Sequence, residues 1–175
     1  MFTDATDQVC VSLFDATENS NYLSDAITSK FNRYPALSMT IYSAHRLQHI
    51  PTCFTDASLT ASQLRRISLE YFNGSANFLI RKISQRFRQR ATPEIVIVDN
   101  LDGFLWDSVI KQQNGSNSTD ANCHKSIVLA VAIICCDTKQ WTVKENVNTN
   151  FLLLVPHEAV SNDVLRSLKL YATVV

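Results

Sequence analysis

Glu94-Ile95-Val96-Ile97-Val98-Asp99 is the stretch on which the fold turns. Four branched aliphatics in a row, with no polar interruption, suit a strand covered on both faces, as at the centre of a parallel sheet. Pro93 closes the linker before it, and Asp99 ends it at the edge where open α/β sheets bind ligands. Upstream, Ala76, Leu79, Ile80, Ile83 and Phe87 recur at helical spacing after the breaker Asn73-Gly74-Ser75. Leu64, Ile67 and Tyr71 predict another helix over 59–72, and His45 to Ala57 has no clear period. Leu37 to Tyr42 reads as a strand. Tyr22, Leu23, Ala26, Ile27 and Phe31 mark a helix closed by Pro35, preceded by the apolar strand Val9 to Phe14 and the polar stretch Asp15 to Asn21.

Downstream of Asp99 the pattern predicts a polar loop over 111–125, a buried strand from Ile127 to Cys136, and a second polar loop over 137–150. Both loops are expected to be mobile. A strand from Phe151 to Val155 follows, and Val164 to Val175 fits either helix or strand. Strands alternating with helices imply an α/β domain, single over residues 1–175, with a mainly parallel sheet flanked by helices. The 175 residues suit one core, and 46% hydrophobic with 18% charged residues is ordinary globular composition. The apolar run Ile127 to Cys136 is about half the length of a membrane span, so no membrane association is expected. Met1 to Asp7 carries two acids and no base, unlike a secretory or transit peptide. Five cysteines, at 10, 53, 123, 135 and 136, lie mostly in apolar stretches and do not read as a disulfide framework.

Charge is uneven. Between residues 61 and 91, Arg65, Arg66, Arg81, Lys82, Arg86, Arg88 and Arg90 face the single acid Glu70, a local +6 in a chain of zero formal net charge. A basic element is mounted on an acidic body, where it can meet nucleic-acid phosphates or an acidic partner.

An aliphatic strand delivering one carboxylate to the sheet edge is the Walker B pattern, in which the Asp holds the magnesium of a bound nucleotide. Ile95-Val96-Ile97-Val98-Asp99 fits it. The matching phosphate loop, Gly-x-x-x-x-Gly-Lys-Ser/Thr after the first strand, does not occur. Asp15-Ala16-Thr17-Glu18-Asn19-Ser20-Asn21 stands there, with two acids and neither Gly nor Lys, and the chain's three glycines lie elsewhere, at 74, 103 and 115. Non-glycine side chains block the close backbone approach to phosphate, and the acids repel it. Lys30 lies too far into the helix to substitute.

With its continuation Asn100-Leu101-Asp102-Gly103-Phe104-Leu105, the segment resembles the Walker B region of RecA-like recombinases and their eukaryotic paralogues. The order of elements over residues 9–155 is similar too. This resemblance implies a truncated RecA-like fold and a nuclear, non-catalytic subunit of homologous-recombination repair. Such a subunit would form a heterodimer with another paralogue, which would bind the ATP in its place, and would modulate the recombinase filament on single-stranded DNA. Asp99, Asn100, Leu101, Asp102 and Phe104 would then belong to the partner interface. Two DNA-facing loops are implied at 111–125 and 137–150, with Lys111, Lys125, Lys139 and Lys144 on phosphates and Trp141 stacking on a base. The basic helix bearing Arg81, Lys82, Arg86, Arg88 and Arg90 is the stronger electrostatic feature.

The alternative is a small metal-dependent enzyme of phosphoryl-transfer or hydrolytic type, with Asp99 and Asp102 as ligands. Cys123-His124 and Cys135-Cys136 match no zinc-knuckle spacing. His45, His49 and His157 lack a matched nucleophile motif and are read as surface or capping residues.

Overall fold

A computed structural model describes residues 9–15, 21–43, 50–71, 76–89, 94–101, 119–145 and 150–175; at 76–77, 86–89, 119–126, 141–145 and 159 only the backbone is described. The strands are β1 (Val9–Phe14), β2 (Ser38–Ser43), β3 (Ile67–Tyr71), β4 (Glu94–Asp99), β5 (Asn150–Pro156) and β6 (Thr173–Val174). The helices are α1 (Tyr22–Arg33), α2 (Ala61–Leu64), α3 (Ala76–Gln89), α4 (Thr119–Glu145) and α5 (Asn162–Leu168), with short 3₁₀ turns at Thr52–Phe54 and His157–Ala159.

Among the described residues the six strands are all parallel, in the order β3-β2-β4-β5-β1-β6. The molecule is therefore an α/β protein with a parallel sheet flanked by helices, consistent with a truncated RecA-like arrangement. β4 sits between β2 and β5 and is buried at every position, as its unbroken aliphatic run predicts. Right-handed crossovers send a connection that moves one way along the sheet to one face and a connection that moves back to the other. From β1 the chain passes over β5 and β4 to β2, which puts α1 on one face. The return journeys through α3, α4 and α5 lie on the opposite face.

Two cores result, one on each side of the sheet. Leu23, Ile27 and Phe31 of α1, with Cys53 and Leu59, pack on Met39, Ile41, Ile95, Ile97, Leu152 and Leu154. Leu79 and Ile83 of α3, Ile127, Val131 and Ile134 of α4, and Val164 and Leu168 of α5 pack on Val9, Val11, Val96, Val98, Phe151 and Leu153. Alternate residues of each strand serve alternate cores, as the pleat requires.

Three segments depart from expectation. Residues 59–72 form no continuous helix. A single turn, α2, is closed by a capping box in which Thr60 accepts from the Gln63 backbone N–H and the Gln63 side chain accepts from that of Thr60. After the turn at Arg65 and Arg66 comes strand β3. Ile67, Leu69 and Tyr71 also alternate with Ser68 and Glu70, and the edge of β2 supplies the hydrogen-bond partners that decide for the strand. Arg66 fixes this junction by donating to the carbonyls of Leu37 and Pro35 at 3.2 and 2.7 Å.

Ile127 to Cys136 is not a strand but the middle of the 27-residue helix α4. Its buried positions, Ile127, Ala130, Val131, Ile134, Cys135 and Thr138, recur at helical spacing, while Leu129 is 61% exposed. A ten-residue apolar run without Gly or Pro satisfies either periodicity, and length arbitrates for the helix. Much of the two expected loops is consequently helical: 119–125 and 137–145 belong to α4. Residues 111–118 and 146–149 lie outside the described residues. The C-terminal segment is both of its alternatives in turn, α5 and then β6. No described helix is long and apolar enough to cross a membrane.

Candidate functional site

Asp99 ends β4, and the register of the parallel ladder sets Ser43, the last residue of β2, directly beside it. The Asp99 side chain is buried at 2% exposure. Ser43 Oγ donates to Asp99 Oδ2 at 2.9 Å, and Tyr22 Oη donates to Oδ1 at 2.8 Å. A buried carboxylate demands such donors, because an ionised oxygen left without them forfeits its hydration for nothing. Each oxygen of Asp99 thus already accepts a hydroxyl proton from this same chain.

Tyr22 is the first residue of α1, and its ring stacks on Phe14, the last residue of β1, with centroids 3.8 Å apart and planes 7° apart. Counted from Asp15, Tyr22 is the eighth residue, where a phosphate loop would carry the Ser or Thr whose hydroxyl holds magnesium. Ser20 and Asn21 stand where its second Gly and its Lys would be. The tyrosine is several ångströms longer than serine, so its hydroxyl reaches the carboxylate itself, with an aromatic ring in between. Donation of this kind is structural: it ties α1 and β1 to the centre of the sheet.

Beyond Asp99 the chain turns sharply. Asn100 has φ of 56°, the left-handed region that Asn tolerates better than most residues. Leu101 N–H then donates to Leu154 O of β5 at 2.9 Å, and the Leu101 side chain enters the core shared by α3 and α4. Of the five residues expected at a partner interface, Asp99 and Leu101 are therefore buried within the chain, and Asn100 is half-buried. Asp102 and Phe104 lie outside the described residues. Asp99, held by two hydroxyls, and Leu101, in the core, both face inward, so the described part of this segment serves the interior of the chain.

The basic residues map onto helices. Arg81 is exposed and Lys82 half-buried on α3; Arg86 and Arg88 lie further along that helix, and Arg90 is outside the described residues. Lys139 is exposed on α4, Lys125 and Lys144 belong to the same helix, and Lys111 is outside. α3 and α4 are neighbours in one layer, joined by Ser84 Oγ donating to Asp137 Oδ2 at 3.2 Å. Lys125, Lys139 and Lys144 are thus helical and not loop-borne, which corrects the loop assignment and puts them in the same layer as the arginine-rich helix. Trp141 likewise lies on α4.

No protein-family model and no curated protein matches the chain.

Elsewhere, among the described residues, the cysteines do not gather with other metal-ligating side chains. Cys135 is buried and Cys136 exposed on successive positions of α4, so the pair cannot converge on one ion. His157 is exposed in the turn after β5, as expected of a surface residue, while His45 and His49 lie outside the described residues. Tyr22, Phe14 and Ser43 are the site residues that sequence reasoning missed. A usable signal existed for Tyr22, an aromatic hydroxyl at the magnesium position of a phosphate loop; none existed for Ser43, whose place depends on β2 lying against β4.

Proposed function

We propose that this chain is a non-catalytic, recombinase-paralogue-like subunit that pairs with a nucleotide-binding paralogue. Through that partner it modulates the recombinase filament on single-stranded DNA during homologous-recombination repair in the nucleus. The carrying observation is the Tyr22–Asp99 hydrogen bond, which sets a side chain of this protein against the carboxylate that would otherwise face a nucleotide's magnesium. The acidic, glycine-free stretch after β1 supports the same reading, because it supplies neither the amide cradle nor the lysine that phosphates need. ATP in the assembly is then the partner's. The basic face of α3 and α4 is assigned to DNA backbone phosphates, and the little aromatic interleaving on α3, Phe78 and Phe87 alone, argues against base reading there.

Fluorescent ATP titrated into the isolated chain tests the central point. No saturable binding is expected, in wild type or in Tyr22→Thr. Binding that disappears in Asp99→Ala would overturn the pseudo-ATPase reading and favour the metal-dependent enzyme. Co-expression with a candidate paralogue should raise soluble yield, and the purified complex should lose several-fold in single-stranded DNA affinity on Arg86→Glu with Arg88→Glu, most strongly at low salt. DNA affinity indifferent to both reversals would remove α3 from the DNA surface.

A further inference from the structure

On the α1 side of the sheet lies a cavity of about 660 Å³ between α1 and the edge formed by β1 and β6, lined also by Phe14 and Tyr22. Its wall is one stripe of α1, on which Asp25, Ser29, Lys30 and Arg33 recur at helical spacing; its floor includes Cys10 and Ser12 of β1 with Leu152 and Leu154 of β5. α1 packs chiefly on β2, β4 and β5, and Cys10 and Phe14 of β1 are only partly buried against it. The volume falls within the range typical of small-molecule sites.

The charge arrangement is what makes the cavity informative. Lys30 and Arg33 stand one helical turn apart, Lys30 half-buried, and among the described residues neither forms an ion pair. Arg33 rests its guanidinium over the Tyr34 ring, 5.5 Å from the centroid, which holds it at the cavity mouth. Burial pushes the Lys30 amine below the usual lysine range, with the Cys10 thiol opposing and Arg33 adding to that shift. Two adjacent cations, one half-buried and with no described carboxylate paired to either, are a standing electrostatic cost that a bound anion would relieve. Asp15 and Asp25 also line the cavity and make it bipolar.

We infer that this cavity binds a small organic anion, with its single carboxylate or phosphate held by Lys30 and Arg33 and its apolar body against Leu152 and Leu154. The two aspartates select against polyphosphates and favour a ligand whose other end is neutral or hydrogen-bond-donating. The cavity shares Phe14 and Tyr22 with the surroundings of Asp99, but its cationic groups, Lys30 and Arg33, lie further along α1, and the inference does not depend on the recombinase-paralogue reading.

Pyridoxal 5′-phosphate is a suitable probe, since it joins an anion to an aldehyde. The lysine amine adds to the aldehyde carbon, water leaves, and borohydride then reduces the imine to a stable amine that peptide mapping locates. In the full chain, Lys30 is expected to be modified several-fold faster than the exposed Lys139 and Lys169, because a phosphate held by Arg33 brings the aldehyde to its amine. Arg33→Ala should abolish most of this preference, Arg33→Lys should retain it, and modification by uncharged acetaldehyde should be the same in all three proteins. Protection by inorganic phosphate or by benzoate then tells which anion the site prefers. Equal modification of Lys30 and the exposed lysines would overturn the inference. So would a Lys30 preference that survives Arg33→Ala, or protection by neither anion. Arg33 is exposed, so its variants test the site without disturbing the core.

Discussion

Tyr22→Phe removes one hydroxyl and keeps the ring stacked on Phe14. Asp99 would remain buried with one donor fewer, and a charge-assisted bond of this kind is worth about 1.5–3 kcal/mol. Urea denaturation should show a loss of that order. Ser43→Ala should cost a similar amount, and each variant should fall short of the loss in Asp99→Ala, which strands both hydroxyls and opens a void. If Tyr22→Phe left stability unchanged, the bond would be incidental and the structural role assigned to Asp99 would fail. Asn100 gives an independent check on the turn that follows. At φ of 56° a β-branched side chain clashes with its own backbone, so Asn100→Val should cost about 1–2 kcal/mol while Asn100→Gly should be near neutral.

At the scale of the element, α4 makes the sharpest claim, because a strand and a helix over Ile127 to Cys136 predict different thiol behaviour. On the helix Cys136 is exposed, whereas Cys135 is buried and burial pushes its thiol up to about 11. A disulfide reagent at neutral pH should therefore modify Cys136 promptly and Cys135 only as fast as the protein unfolds. The raised value also has a pH consequence. A thiol harder to ionise when folded than when unfolded contributes stability in full below about pH 9, and loses it as pH rises toward 11. The stability difference between wild type and Cys135→Ala should accordingly shrink over that interval. β1, α1, β2, α3, β4 and β5 were legible from the sequence because each carries one unambiguous period, or, for Glu94 to Asp99, a run too short and too β-branched for a helix. α4 was not, since Ile127 to Cys136 is apolar at almost every position and so lacks the polar face from which a period is read. β3 was not, because Leu64, Ile67 and Tyr71 satisfy helical spacing by coincidence, and only the neighbouring strand β2 breaks the tie. The acidic half of the site was visible as Asp99. Its hydroxyl partners depend on sheet order, which no local pattern encodes.

For the whole molecule, the sheet divides the apolar interior into two layers with separate partners. Ile27→Ala in the α1 layer and Ile134→Ala in the α4 layer should each cost about 2–4 kcal/mol. Their double variant should lose the sum to within about 0.5 kcal/mol, since residues without shared contacts add. A strong departure from additivity would mean that the two layers communicate through the sheet. The same topology bears on how the chain comes to be folded at all. β1 holds residues 9–14, yet both of its neighbours come from the far end of the chain: Val9 lies against Phe151, and Cys10 against Leu152 on one side and Thr173 on the other. A ribosome finishes β1 and then makes more than a hundred residues before either companion exists, an interval on the order of ten seconds. Throughout that time Val-Cys-Val-Ser-Leu-Phe is an apolar strand with two open edges. Newly made chains should therefore be captured by holding chaperones through this segment, and pulse-labelled translation intermediates that lack residues 150–175 should remain protease-sensitive until those residues emerge.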